Sequence, residues 1–230
     1  MRPHVHPLAR RLILIGTPLL TGILLLFHPR PDPAQLGLVE PLAGIDVYTL
    51  MAPKADRFLV VHALFALALA LLSLSVILIL EGVRGIAADI SRASAFIFGV
   101  TYIMYETIIG TVTGLLVRGA AKLPPGEQAI IGEGVYRNLI DPLFGDLPSI
   151  LSGTAWLSWV FAVTLAAYAL RRAGKPWGAC LLLGLSFIFI SHASSLGLIG
   201  MLLFLFAVIQ IERAGSPVAP SVDYETVSVA

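Results

Sequence analysis

The stretch Trp177–Ile211, WGACLLLGLSFIFISHASSLGLIGMLLFLFAVIQI, decides how this chain is built. It runs for 35 residues without a Lys, Arg, Asp or Glu, and as one helix it would extend about 52 Å at 1.5 Å per residue. The hydrocarbon core of a bilayer is about 30 Å thick and takes about 20 residues. One crossing cannot use the whole run, even when tilted. Its middle is the small polar patch Ser191-His192-Ala193-Ser194-Ser195. We read two short helices joined by a tight turn there. A single, strongly tilted helix is the alternative, and it would leave the C-terminus on the other side.

Four further apolar runs lie upstream, which gives six spans at about 12–27, 58–80, 93–117, 150–170, 177–191 and 195–211. The composition agrees. Of 230 residues, 57% are hydrophobic and 13% charged, against about 25% charged in an ordinary soluble domain; the mean hydropathy is +0.90. The expected class is an all-α integral membrane protein, a six-helix transmembrane bundle forming one polytopic domain over 1–213. Residues 214–230 are expected to be a poorly ordered cytoplasmic tail. A net charge of +1 with no basic run excludes nucleic acid as a partner. The single cysteine, Cys180, excludes an intramolecular disulfide and a thiolate zinc cluster.

Orientation follows from the excess of Lys and Arg in cytoplasmic segments. With the N-terminus inside, Arg2, Arg10, Arg11, Arg84, Arg92, Arg171, Arg172, Lys175 and Arg213 lie inside, which makes nine. Arg30, Lys54, Arg57, Arg118, Lys122 and Arg137, which makes six, lie outside. The expected setting is the plasma (inner) membrane, with both termini cytoplasmic. No small-x-small cleavage site follows the first span, so it reads as a retained helix, kinked at Pro18, which lacks a backbone donor.

The two outer loops, His28–Arg57 and Arg118–Ser149, are long and too apolar for disorder. In the second, Ile131, Val135 and Leu139 recur every four residues, and Glu133 and Arg137 form an i,i+4 pair. This predicts a short amphipathic interfacial helix after Pro124-Pro125-Gly126, acting as a cap over the bundle or as a docking surface. Trp156, Trp159 and Trp177 are assigned to the aromatic belt.

The spans contain one charged residue, Glu106. A carboxylate at bilayer depth is costly and turns toward protein or water. Gly99, Tyr102, Glu106, Gly110 and Thr113 share one helical stripe, with Tyr105 beside it. Gly99, Gly110 and Gly114 are assigned to helix packing, the last two as a GxxxG notch. Glu106, Tyr102 and Tyr105 are candidates for a ligand or proton site. No span supplies a Lys or Arg to pair with Glu106, so a tyrosine or a backbone carbonyl is the expected partner.

His28, His62 and His192 fall in one outer layer and are candidates for a metal or haem site. Phosphate loops, GxSxG elbows and HExxH spacings are absent, and no lysine lies in a span. Three functions follow as expectations. The first is a non-catalytic subunit, or a ligand- or partner-binding component, of a larger membrane complex. The second is a membrane-embedded haem or metal redox protein using the outer histidines. The third is a small transporter, against which stands the lack of an inverted repeat. The expected partners are the bilayer, with bound lipid, and a second membrane protein or another copy of the chain. Whatever is bound is expected at the outer end, because the inner connections are too short to form a pocket.

Overall fold

Runs of apolar residues can cross a bilayer only as helix, because the core holds no water to satisfy backbone N–H and C=O groups. A computed structural model of the protein describes residues 6–29, 44–146, 149–191 and 194–215, and every regular element among them is helical. Eight helices are distinguished among these residues. They are α1 (Pro7–Phe27), α2 (Gly44–Met51), α3 (Ala55–Ile79), α4 (Ile86–Lys122), α5 (Pro125–Leu139), α6 (Ile150–Arg172), α7 (Trp177–Ile190) and α8 (Ser195–Arg213). Five helical stretches are long and apolar enough to cross a membrane: α1, α3 with the turn and helix before it, α4, α6 and α8. The sixth, α7, has 14 residues and ends in a 3₁₀ turn over Ser186–Ile190.

Six helices form a closed ring in which each packs on the next: α1, α3, α4, α6, α7, α8 and back to α1. The α4–α6 contact is among the most extensive. Small residues permit it: Ala88, Ser91 and Ala95 on α4, and Ala155, Ala162 and Ala166 on α6, are all buried. Ser91 Oγ donates to the Ala162 carbonyl at 2.6 Å. Trp159 fills the middle of the ring against Phe98, Phe189 and Phe204. That corrects its assignment to an aromatic belt. Trp159 is fully buried and its indole N–H donates to the Ser186 carbonyl at 3.3 Å, while Trp156 and Trp177 keep exposed faces. The outside of the ring is apolar, with Leu67, Phe96, Phe161 and Phe206 each more than half exposed. No more than half of any of the five candidate spans is buried inside the protein. This apolar surplus suits a membrane.

The last apolar run is divided. α7 and α8 pack side by side, and Lys175 Nζ, just before α7, donates to the Ile211 carbonyl near the end of α8 at 3.2 Å. The two helices therefore run back on each other, and both ends of the run lie on one side. That end of the bundle is stitched by charge. Arg10 reaches Glu81 at 2.6 Å and Glu212 at 2.9 Å, tying α1, the α3–α4 turn and α8 together. Arg92 caps the Leu80 and Val83 carbonyls, both at 2.7 Å. We call this the arginine end.

Three features differ from the sequence reading. The first long loop is partly helical: α2 and the turn Ala52–Lys54 lead directly into α3. A helix does form over Pro125–Leu139, with Glu133 and Arg137 paired at 2.7 Å. Its buried Val135, however, packs with Val47, Tyr48 and Met51 of α2 and Val117 of α4 in a second small core. Sequence patterning showed α5 a surface to cover but not that α2 covers it. Pro18 leaves the i−4 carbonyl without its N–H, and α1 carries a π-helical turn at Leu12–Gly16 just before it. The tail 216–230 and loop residues 30–43 lie outside the described residues.

Two glycines make opposite predictions. A Cβ on Gly200 of α8 would lie 2.3 Å from Phe189 N, whereas one on Gly153 of α6 would meet nothing within 4 Å. Gly200→Ala is expected to lower stability by about 1–3 kcal/mol. Gly153→Ala should raise it by up to about 1 kcal/mol through helix propensity. Thermal unfolding of the purified protein in detergent tests the pair; a Gly200→Ala variant as stable as the parent would contradict the α7–α8 packing.

Candidate functional site

Helix geometry places the site before any side chain is considered. His62 stands seventeen residues from the arginine end of α3 at Ile79, a depth of about 25 Å at 1.5 Å per residue. His28 caps the far end of α1, where the backbone turns extended. Glu106 opens a π-helical segment, Glu106–Val112, in the middle of α4. Such a segment inserts a residue into the helix and re-aims the side chains around it. The carbonyl of Ile108 within it accepts from Asn138 Nδ2 of α5 at 3.3 Å.

These three side chains meet. His62 Nε2 lies 3.7 Å from Glu106 Oε2, and the ring centroids of His28 and His62 are 4.8 Å apart. Phe58 stacks on His62 at 4.4 Å, and Phe65 stands edge-on to His28 at 5.7 Å. His28 and His62 are about 5% exposed and Glu106 is fully buried. His62 Nδ1 is 2.7 Å from the Phe58 carbonyl. A carbonyl only accepts, so this nitrogen carries the proton and donates, which aims Nε2 at Glu106. An imidazole from another helix thus faces Glu106, a neighbour that the sequence reading did not name. Helical spacing within α4 could not reveal a residue on α3.

Glycines admit the ring. A Cβ on Gly110 would fall 2.0 Å from His62 Cδ2, and one on Gly114 would fall 2.7 Å from Leu59 N. A Cβ on Gly99 would fall 2.6 Å from Ser73 Oγ. The side-chain-free strip on α4 thus sets both the α3–α4 distance and the seat of His62.

Tyr102 and Tyr105 lie beside the trio, their rings perpendicular at 5.5 Å. The Tyr105 hydroxyl donates to Asp146 at 2.8 Å. Asp146 was not among the residues singled out from sequence, because it sits in a connection with no periodicity. A tight turn holds it there: Asp146 N donates to the Leu139 carbonyl at 2.8 Å, and Asp141 accepts from the N–H groups of Leu143 and Phe144. Gly145 is required in that turn, since a Cβ would lie 2.5 Å from the Asp141 and Leu139 carbonyls. Asp146 itself is exposed, so tyrosine and carboxylate lead from the buried trio toward the surface.

The structure therefore brings together His28, His62 and Glu106, with Tyr102 and Tyr105 adjacent. His192 lies outside the described residues. A bis-histidine haem needs its imidazoles on opposite faces of the porphyrin, and the His28 and His62 rings stand too close to admit one. Compared with known protein families, curated proteins and solved structures, the chain matches none.

Glu106→Gln keeps shape and hydrogen-bonding capacity and is expected to cost under about 1 kcal/mol of stability. Glu106→Leu leaves polar neighbours unmet and should cost about 1–3 kcal/mol. Thermal unfolding of both variants decides; equal melting temperatures would mean that no polar network depends on this position.

Proposed function

We propose that the chain is a multi-pass protein of the plasma membrane, crossing six times with both termini cytoplasmic. In this reading the histidine end faces outward and the arginine end inward. The protein serves as a non-catalytic binding component of a membrane assembly. It takes up a small polar ligand or an ion at His28, His62 and Glu106.

One observation carries the proposal: a fully buried carboxyl group facing an imidazole at 3.7 Å within the helix ring. Ionisable groups at such depth are expensive and mark ligand or ion sites. A Gln or Ser would pack a helix there at lower cost. The orientation rests on the Lys and Arg count and on the loop Arg171–Lys175, which carries no compensating acid. The α7–α8 hairpin supports a cytoplasmic C-terminus. α7 is short for a crossing, about 23 Å against about 30 Å, and a locally thinned bilayer accommodates it. The cap of α2 and α5 stands over the binding end, with Ile130, Ile140, Leu143 and Phe144 exposed on it. This apolar surface offers a contact for the outer headgroup region, for a second membrane protein or for another copy of the chain.

Labelling with an impermeant thiol reagent tests the topology. In a Cys180→Ala background, cysteines at Lys54 and Lys122 are expected to react from outside intact cells, and cysteines at Lys175 and Ser216 are not. Reaction of Lys175→Cys from outside would invert the orientation, and reaction of Ser216→Cys would mean an odd number of crossings.

A further inference from the structure

We propose that His28 Nδ1 or Nε2, His62 Nε2 and a carboxylate oxygen of Glu106 form a binding site for one divalent first-row transition-metal ion such as Zn²⁺ or Fe²⁺. This deepens the reading of the histidine end as the binding end and rests on it.

Four observations converge. One ligating atom from each residue lies within 4.8 Å of the other two, and all three residues are buried. Ligands around an ion with bonds of about 2.0–2.2 Å stand about 3.3–3.5 Å apart in a tetrahedral site. The His62–Glu106 edge, at 3.7 Å, is already close to that. The widest edge, at no more than 4.8 Å, must shorten by somewhat more than an ångström, which is within the reach of side-chain rotation.

Second, the histidine is presented as metal-binding histidines usually are. The far nitrogen of His62 donates to the Phe58 carbonyl, which orients the ring and leaves Nε2 as a lone-pair donor. Third, the three residues come from three segments, the end of α1, the first third of α3 and the π segment of α4. An ion there would cross-link three helices of the ring at one point. Fourth, the seat is built: Gly110 is the only residue type that clears the His62 ring.

The ligand set selects the metal. Two imidazoles and one carboxylate suit zinc, iron(II), cobalt(II) or manganese(II). Calcium and magnesium prefer all-oxygen sites. Copper(I) prefers thiolate or thioether, and the chain's one cysteine lies by the Lys175 carbonyl at the arginine end. Three protein ligands leave a coordination position open for water or a further ligand.

The test uses the full chain in lipid nanodiscs, purified through a histidine-free tag, stripped with a chelator and titrated with Zn²⁺ against a chromophoric competitor. One ion per chain is expected, and Co²⁺ should give visible d–d absorption. His28→Ala, His62→Ala and Glu106→Gln should each weaken Zn²⁺ binding at least about tenfold, whereas His6→Ala, at the arginine end, should not. Zn²⁺ should raise the melting temperature of the parent protein and not that of Glu106→Gln. If a histidine variant fails to fold, Glu106→Gln decides alone. A folded parent protein that holds no Zn²⁺ or Co²⁺, or a Glu106→Gln variant that binds Zn²⁺ as the parent does, overturns the metal site. Those results leave the topology standing, which fails only on the labelling pattern.

Discussion

The α3–α4 contact at Gly110 and Gly114 is the constraint on which the rest of this structure depends. Side chains at these two positions would occupy the His62 ring and the backbone of Leu59. Their absence lets two long helices come within backbone distance, and that approach is what places an imidazole of α3 opposite the carboxylate of α4. In an apolar medium, dispersion and close approach replace the hydrophobic effect as the force joining helices. The same strip therefore supplies both cohesion and the site. The π segment beginning at Glu106 adds to this, since it turns the carboxylate, Gly110 and Thr113 to the buried side.

The two ends of the bundle solve different problems. At the arginine end, short turns leave little room, and charge does the joining: Arg10 serves two acids, and Arg92 and Lys175 satisfy carbonyls that the turns leave open. Gly82 and Gly85, at φ of 80° and 118°, make the α3–α4 turn possible. At the histidine end, α4 continues well past the depth of the site and α2 precedes α3, so their extensions need a cover. At 37 residues α4 is about 55 Å long, against a bilayer core of about 30 Å. The small core of α2 and α5 provides the cover. The bundle is thus locked at one end and roofed at the other, with His28, His62 and Glu106 toward the roofed end.

That asymmetry frames the chemistry. A carboxyl group buried among apolar helices is costly, and here it faces imidazole. Imidazole and carboxylate together are also ligands for transition-metal ions. Tyr105 and Asp146 then join the buried trio to the exposed turn that follows α5.

The sequence by itself determined the all-helical class, the apolar runs, the break near Ser191 and the α5 helix, and it singled out Glu106, Gly110, Gly114, His28 and His62. These are properties of composition and of spacing along one helix, which a reader of the chain can count. Only the tertiary structure decided which helix covers which face. It set His62 against Glu106, placed Trp159 in the core instead of a belt, made part of the first loop helical, and brought in Asp146 and Phe58. A helical period tells which residues share a face, but in lipid nearly every face is apolar, so hydropathy cannot say which ones meet. Contacts between helices are chosen by shape, by small residues and by the few polar groups that must find partners, and those are settled only when the chain folds.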